Sequence, residues 1–285
     1  MCSSPYNDYW KELRKLCAQE LFCAKQIQSI QPIKDEEVKK VIDSIAESAS
    51  LKNHVNLNKT FLALTVSVVC KAAFGVSFEG TVLSNDRFNK LVRDAFEMLV
   101  SFSASDFIPY VGWIIDWFTG LQAKKEKSGR DLDAFYEQMI DLHKEVKEKR
   151  SEDFVDVLLR MEKEETVVGN DILTRNHVKA IMMNILLGGI DTSAITMTWA
   201  MAELVRNPRV MKKVQSEIRS KFKNKERINY DDTDQLEYLK MVIKETWRLH
   251  PPTPLLERIE RRSFCVSYSD HHDSLLSYKL HILVS

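Results

Sequence analysis

The stretch Gly188–Gly189–Ile190–Asp191–Thr192 puts two glycines, a carboxylic acid and an alcohol in the middle of a long apolar run. A buried helix interior ordinarily avoids these residue types. A mid-helix glycine costs about 1 kcal/mol against alanine, and a buried carboxylate without a partner costs far more. Two glycines leave a shelf bare of side chains. Asp191 and Thr192 set a carboxyl group and a hydroxyl beside it, a pair suited to passing protons. A flat cofactor lying over the shelf, with Asp191 and Thr192 delivering protons to it, accounts for the combination.

Two further spacings carry chemistry. Glu245–Thr246–Trp247–Arg248 sets an acid and a guanidinium three residues apart, on one face of a helix. On an exposed helix such a pair contributes a few tenths of a kcal/mol. The neighbours Met241, Val242 and Leu249 predict a partly buried helix, where a bidentate pair fixes geometry. Trp10 and Arg14, four apart in Trp10–Lys11–Glu12–Leu13–Arg14, offer an indole N–H and a guanidinium fork. Both are donors only, and together they suit carboxylate or propionate groups.

The elements that must position these residues are helices almost throughout. Asn7 caps a first helix through Trp10, Leu13, Arg14 and Cys17. Pro32 is expected at the first position of a second, with apolar residues recurring from Val38 to Ala49. Asn56 or Asn58 caps a third, apolar on most sides from Phe61 to Ala73 and stopped by Gly75. An amphipathic helix is expected over 86–102, and a charged one over 121–150 with Phe135, Met139 and Leu142 on one face. A short helix covers 153–161. Thr174 caps the long helix that holds Asp191 and Thr192, and Asn207–Pro208 ends it. From Arg175 to Arg206 that helix is about 48 Å long and must cross the middle of the fold. Pro208 starts another, 231–239 is turn-rich, and 240–250 is the last, stopped by Pro251–Pro252. Phe264–Tyr268 suits a strand. The aromatic segment Phe107–Phe118 reads either as a loop and short helix folded onto the core, or as a surface patch touching lipid or lining a substrate entrance.

Composition sets the frame. The 285 residues are 44% hydrophobic and 29% charged, with 41 basic and 41 acidic side chains. That is enough for a core, and the balance points to no nucleic-acid partner. Eight glycines and seven prolines disfavour an all-β fold. The five cysteines show no C-x-x-C spacing and read as thiols in a reducing compartment. His271–His272–Asp273 is expected to be exposed and inert, so no metal site is assigned. Met1–Tyr6 lacks the apolar region of a signal peptide. The run 180–202 is interrupted by Asn184, Asp191, Thr192, Ser193 and Thr196, which argues against a membrane span.

In this order the three motifs resemble the cytochrome P-450 family of haem-thiolate monooxygenases, most closely its plant microsomal branch. Gly-Gly-x-Asp-Thr is similar to that family's oxygen-activating central helix. Glu-x-x-Arg followed by Leu249–His250–Pro251–Pro252 is similar to its K helix, and Trp-x-x-x-Arg to the helix that donates to the haem propionates. Ala73–Phe74–Gly75, Asp153–Leu159 and Asn207–Pro208 support the match. The resemblance implies a mainly α chain, a partial P-450 fold running from the propionate-binding helix through the Glu-x-x-Arg helix, with little β. It implies one partial domain over 1–256 and a divergent tail over 257–285.

By the same resemblance, Thr192 relays protons during oxygen activation and Asp191 supplies the carboxyl end of the relay. Gly188 and Gly189 let the helix backbone approach the haem. Trp10 and Arg14 hold the propionates, and Glu245 and Arg248 form a structural ion pair. The implied chemistry is insertion of one oxygen atom into a small lipophilic substrate, as in plant secondary metabolism, with electrons from an NADPH-dependent reductase. The family works on the cytosolic face of the endoplasmic reticulum membrane; without the family's anchor and N-terminal strands, this chain is expected in the cytosol. The family's axial ligand is a cysteine in a Phe-x-x-Gly-x-Arg-x-Cys loop beyond the K helix. No such loop follows Arg248 here, and Ser263–Phe264–Cys265–Val266 has neither a glycine nor a basic residue to tune a thiolate. The expectation is a catalytically incompetent piece of such an enzyme. The alternatives are a non-catalytic helical fragment, or a truncated isoform that binds a reductase or another partner.

Overall fold

A computed structural model describes residues 7–75, 90–91, 94, 103–108, 110–145, 153–169, 171–223, 225, 228 and 230–253. The elements run α1 (Asp8–Glu20), α2 (Ala24–Ser50), α3 (Leu57–Phe74), α4 (Ala104–Phe107), α5 (Gly112–Phe118), α6 (Leu121–Glu145), α7 (Phe154–Lys163), β1 (Val167–Val168), β2 (Asp171–Ile172), α8 (Arg175–Arg206), α9 (Pro208–Lys221), a 3₁₀ turn (Tyr230–Gln235) and α10 (Glu237–Leu249). The fold is mainly α, with, among the described residues, one small antiparallel hairpin pairing Val167 with Ile172 and Val168 with Asp171. Two compact units meet within α8, between Ala194 and Ile195.

The first unit is built on one apolar core. Leu13 and Cys17 of α1 and Leu21 at its C-cap enter it, as do Cys70 and Phe74 of α3, Phe135 and Met139 of α6, Val155 and Leu158 of α7, and Ile181, Met182, Leu186 and Ile190 of α8. Helix starts follow the capping residues. Asn7 Oδ1 accepts from Trp10 N at 2.8 Å, and Asn56 Oδ1 from Lys59 N at 3.1 Å. Asp153 and Asp156 form a reciprocal capping box on α7. Helix α3 ends at Gly75 in the left-handed region, φ 63°. Buried Glu37 joins α2 to α3 through Lys71 at 2.6 Å, with Lys40 also bound at 3.0 Å. Burial alone would raise the Glu37 carboxyl pKa; the two lysines outweigh it and hold it below the usual range. By length and composition alone, α3 and α8 could each cross a membrane. Both place residues in this core.

In the second unit α10 lacks a side-chain cap of its own, and Glu217 of α9 supplies one, accepting from Tyr238 N at 2.8 Å and Leu239 N at 3.1 Å. Those amides hold the Glu217 carboxyl below its ordinary pKa. The C-terminal third of α8 is tied to α10 side chain to side chain. Trp247 Nε1 donates to Thr196 Oγ1 at 3.2 Å, His250 stacks on Trp199 with ring centroids 3.8 Å apart, and His250 Nε2 meets Glu203 Oε1 at 3.0 Å.

Some sequence expectations need correcting. Pro32 is not at a helix start: α2 begins at Ala24 and runs through it. Proline there gives up one backbone hydrogen bond, a loss that a 27-residue helix braced on α3 absorbs. Helix α10 starts at Glu237, three residues before the expected Lys240, because Glu217 caps it from a distance. The aromatic segment is not folded onto the core. Tyr110 is 93% exposed, Trp113 64%, Trp117 68% and Phe118 77%. Buried Asp116 holds the segment in shape from its polar side, accepting from the Ser103 and Ser105 hydroxyls and from Ala104 N at 2.7 Å, which drives its carboxyl pKa far down. The helix expected over 86–102 lies outside the described residues except at 90, 91 and 94, which are helical; the strand over 264–268 lies outside them entirely.

At Gly75 a Cβ would meet Asp153 Oδ2 at 2.6 Å, on top of the left-handed backbone. Gly75→Ala is expected to destabilise the chain by about 1–2 kcal/mol or more from backbone strain and contact together, read as a lower urea midpoint.

Candidate functional site

Helix α8 has two distinct sides within the first unit. Val178, Ile181, Met182, Leu186, Ile190 and Ala194 are buried, and at 3.6 residues per turn they form one stripe. Gly188, Asp191 and Thr192 lie on a face turned away from that stripe, spaced three and four residues apart.

The two glycines have different surroundings. A Cβ on Gly188 would meet nothing within 4 Å, whereas on Gly189 it would lie 2.9 Å from Val69 Cγ2 of α3. Gly189 is therefore the point where α8 and α3 approach, and the bare shelf is the Gly188 face. Successive helical residues point about 100° apart, so adjacent glycines could not both have served one surface. The sequence shows only that the two glycines point apart; that Gly189 is the one set against Val69 is visible in the fold alone.

The Thr192 hydroxyl donates to the Gly188 carbonyl at 2.6 Å. About two turns earlier, Asn184 Nδ2 donates to the Ala180 carbonyl at 2.6 Å. Half-buried Asp191 has its carboxyl pKa raised by burial, so it keeps a proton to higher pH than an exposed aspartate.

On α1, the Arg14 guanidinium lies over the Trp10 ring, 5.3 Å from its centroid. The structure thus brings the two expected donors together. Helix α1 is held along its length. Gly169 N donates to Glu12 Oε2 at 2.5 Å, Tyr9 packs on His177 of α8 at 5.4 Å between centroids, and Arg160 reaches Glu20 at 3.5 Å.

The Glu245–Arg248 pair forms in bidentate geometry, with Arg248 Nε 2.8 Å from Glu245 Oε2 and Arg248 NH2 2.6 Å from Oε1. Its expected burial is corrected: the two side chains are 56% and 63% exposed. The buried side of α10 is that of Thr246; Met241 and Leu249, which suggested burial, are themselves about half exposed.

The described residues also include buried thiols and one cluster of metal-type ligand atoms. Cys17 and Cys70 are buried in the core, and burial raises both thiol pKa values, Cys17 to about 11. Neither is a thiolate at neutral pH. His143, Asp153 and Asp156 bring three ligand-type atoms within 4.8 Å of one another. The carboxylates there already cap α7 and both imidazole nitrogens face acceptors, so the trio is a structural cluster. Cys265 and His271–Asp273 lie outside the described residues.

A family model described as cytochrome P450 matches residues 2–263. The chain belongs to the cytochrome P450 family. It is 83% identical over 256 residues to cytochrome P450 71B26 of Arabidopsis thaliana, a match covering 90% of this chain and 51% of that relative. To cytochrome P450 71B34 of the same plant it is 76% identical over 253 residues, covering 89% of this chain and 51% of that protein. The chain therefore spans about half the length of the curated relatives it matches. Two solved zebra fish cytochrome P450 structures, one with abiraterone and one with progesterone, align with TM-scores of 0.64 at 20% and 17% identity. They cover 89% and 90% of this chain and 55% and 56% of theirs, and share the fold.

The P450 family implies haem, and the described residues fit part of its surroundings. Gly188 leaves a face that any side chain would fill, and Trp10 and Arg14 pair two donors suited to propionates. Cys17 and Cys70 do not fit as thiolate ligands, being buried protonated thiols.

The glycine pair makes a test. Gly188→Ala is expected to stabilise the chain by up to about 1 kcal/mol while weakening haem uptake. Gly189→Ala is expected to destabilise it by about 1–3 kcal/mol, since the stiff Val69 side chain cannot swing aside. Thermal unfolding of the two variants, together with haem titration, checks both signs.

Proposed function

We propose that this chain carries the oxygen-activating and propionate-binding helices of a haem-dependent P450 monooxygenase, a partial domain over 1–256 followed by a divergent tail over 257–285. The observation that carries the reading is the open Gly188 face with Asp191 and Thr192 on the same side of α8. Haem, when bound, supplies the redox chemistry that inserts one oxygen atom into a small lipophilic substrate, with electrons from an NADPH-dependent reductase.

In this reading the chain's own residues bind and move protons. Thr192 keeps its hydroxyl proton on the Gly188 carbonyl and turns it outward by rotation about χ1. Asp191 holds a proton to higher pH than usual and replenishes Thr192. Trp10 and Arg14 hold the propionates by donation. Glu245 and Arg248 brace α10 and do not react.

The exposed aromatics of α5 and of the turn before it support peripheral membrane contact. Tyr110, Trp113, Trp117 and Phe118 are exposed together, and indole and phenol rings partition to the membrane interface. This fits the cytosolic face of the endoplasmic reticulum and a role in plant secondary metabolism.

We further propose that these 285 residues by themselves give haem no thiolate ligand. Cys17 and Cys70 are buried thiols held protonated, Cys23 is a thiol of intermediate exposure at the start of α2, away from any such loop motif, and residues 249–285 contain no Phe-x-x-Gly-x-Arg-x-Cys pattern. A non-catalytic helical fragment or truncated isoform that binds a reductase is the second reading, and this ligand question favours it.

Reconstitution with haem, reduction and addition of CO separates the readings. A Soret band of histidine or free-haem type is expected, and a thiolate-type band overturns the claim of inactivity. Arg14→Ala is expected to weaken haem uptake about tenfold through loss of a charge-assisted bond; unchanged uptake removes Arg14 from the site. Failure of the wild-type chain to take up haem, with retention of reductase in a pull-down, selects the second reading.

A further inference from the structure

Where the ends of α3, α6 and α7 meet, a charged cluster lies outside the machinery described above. His143, in the last turn of α6, places Nε2 2.7 Å from Asp156 Oδ1 and Nδ1 3.3 Å from the Phe74 carbonyl, with Asp153 Oδ2 3.5 Å from Nδ1. The other carboxylate oxygens are committed. Asp153 Oδ1 accepts from Val155 N at 2.9 Å and Asp156 N at 3.0 Å, and Asp156 Oδ2 accepts from Asp153 N at 3.2 Å. Both ring nitrogens therefore face acceptors. A neutral imidazole has one N–H and would turn a lone pair toward one of them; the imidazolium donates to both. The ring also lies at the C-terminal ends of α3 and α6, where helix dipoles favour a cation.

We propose that His143 is a proton-controlled clamp: as imidazolium it ties the end of α6 to the end of α3 and the start of α7, and deprotonation releases one of the two ties. The helix it holds is the one that follows the exposed aromatic α5, so the clamp sets how firmly α6 is anchored at its far end.

Among the described residues, the charged groups facing the ring are Asp153 and Asp156 from α7; α3 brings the Phe74 carbonyl. Lys71 of α3 is directed to Glu36 and Glu37, and Lys144 of α6 to Asp141. Burial alone would lower the His143 pKa. The bond to Asp156 and the charges of Asp153 and Asp156 outweigh that, and the net direction is up. A raised histidine contributes stability that is complete below its ordinary value of 6.5 and is lost as pH climbs through the raised value. Burial raises Asp153 to about 6 from 3.8, so it still titrates around pH 6 and is essentially ionised only above about pH 7. The interval above about pH 7 therefore reports chiefly on His143.

Urea unfolding of the full chain at about pH 7, 8 and 9.5 tests the clamp in wild type and His143→Gln. The wild-type advantage is expected to shrink with pH, roughly tenfold in the unfolding constant for each unit of pKa elevation. An advantage unchanged across that range overturns the proposal. Should the variant fail to fold, hydrogen exchange on wild type decides. Protection of amides 139–144, normalised for intrinsic rate and referred to amides 181–186 of α8, is expected to fall several-fold on going above pH 8. A constant ratio overturns the proposal.

Discussion

The site depends on one constraint: α8 must be gripped by the core on one side and left bare on the other. Ile181, Met182, Leu186 and Ile190 do the gripping, each less than 3% exposed. Full burial of such side chains is worth about 1.5–3 kcal/mol apiece. Two interior glycines cost about 1 kcal/mol each. The stripe therefore carries the glycines with a wide margin, and the helix survives a sequence that would weaken it in isolation. The expense is local, at Gly188 and Gly189, while the stabilisation is spread over about three turns, so the bare face can persist without loosening the helix.

The same logic places the donors on α1. A 13-residue helix is marginal alone, and its surface contacts, such as Arg160 with Glu20, contribute little. Leu13, Cys17 and Leu21 anchor it in the core that also holds α8. Trp10 and Arg14 inherit their position from those three residues. The Glu12 contact to Gly169 and the Tyr9 packing on His177 fix its rotation.

Much of this was legible in the sequence because it rests on local rules. Asn7, Asn56, Gly75 and the Asn207–Pro208 break act through their own backbone neighbours, and α8 begins and ends where those rules place it. What escaped was set by partners distant in the chain. The start of α10 depends on Glu217, some twenty residues earlier, so a reading of α10 alone begins too late. Glu245 and Arg248 pair as their spacing requires, but burial is decided by what covers a face, and periodicity cannot report that. The division of labour between Gly188 and Gly189 needed Val69 of α3. The hairpin at 167–172 has strands too short to leave a periodic signal.

The acids of this chain sort by the same physics. Asp116 and Glu217 sit at the starts of helices other than their own, accept backbone amides, and have their pKa values lowered; they are structural carboxylates. Asp153 is raised by burial yet is occupied as a helix cap beside His143. Asp191 is different in kind. It lies in the middle of a helix, where every nearby amide is already bonded along the axis, so no helix N-terminus can stabilise its charge. Burial acts on it unopposed and raises it. Among the described acids whose pKa is raised, Asp191 is thus the one without a capping duty, which is what the proposed proton relay asks of it, and it stands one residue from the hydroxyl of Thr192, on the face that Gly188 keeps open.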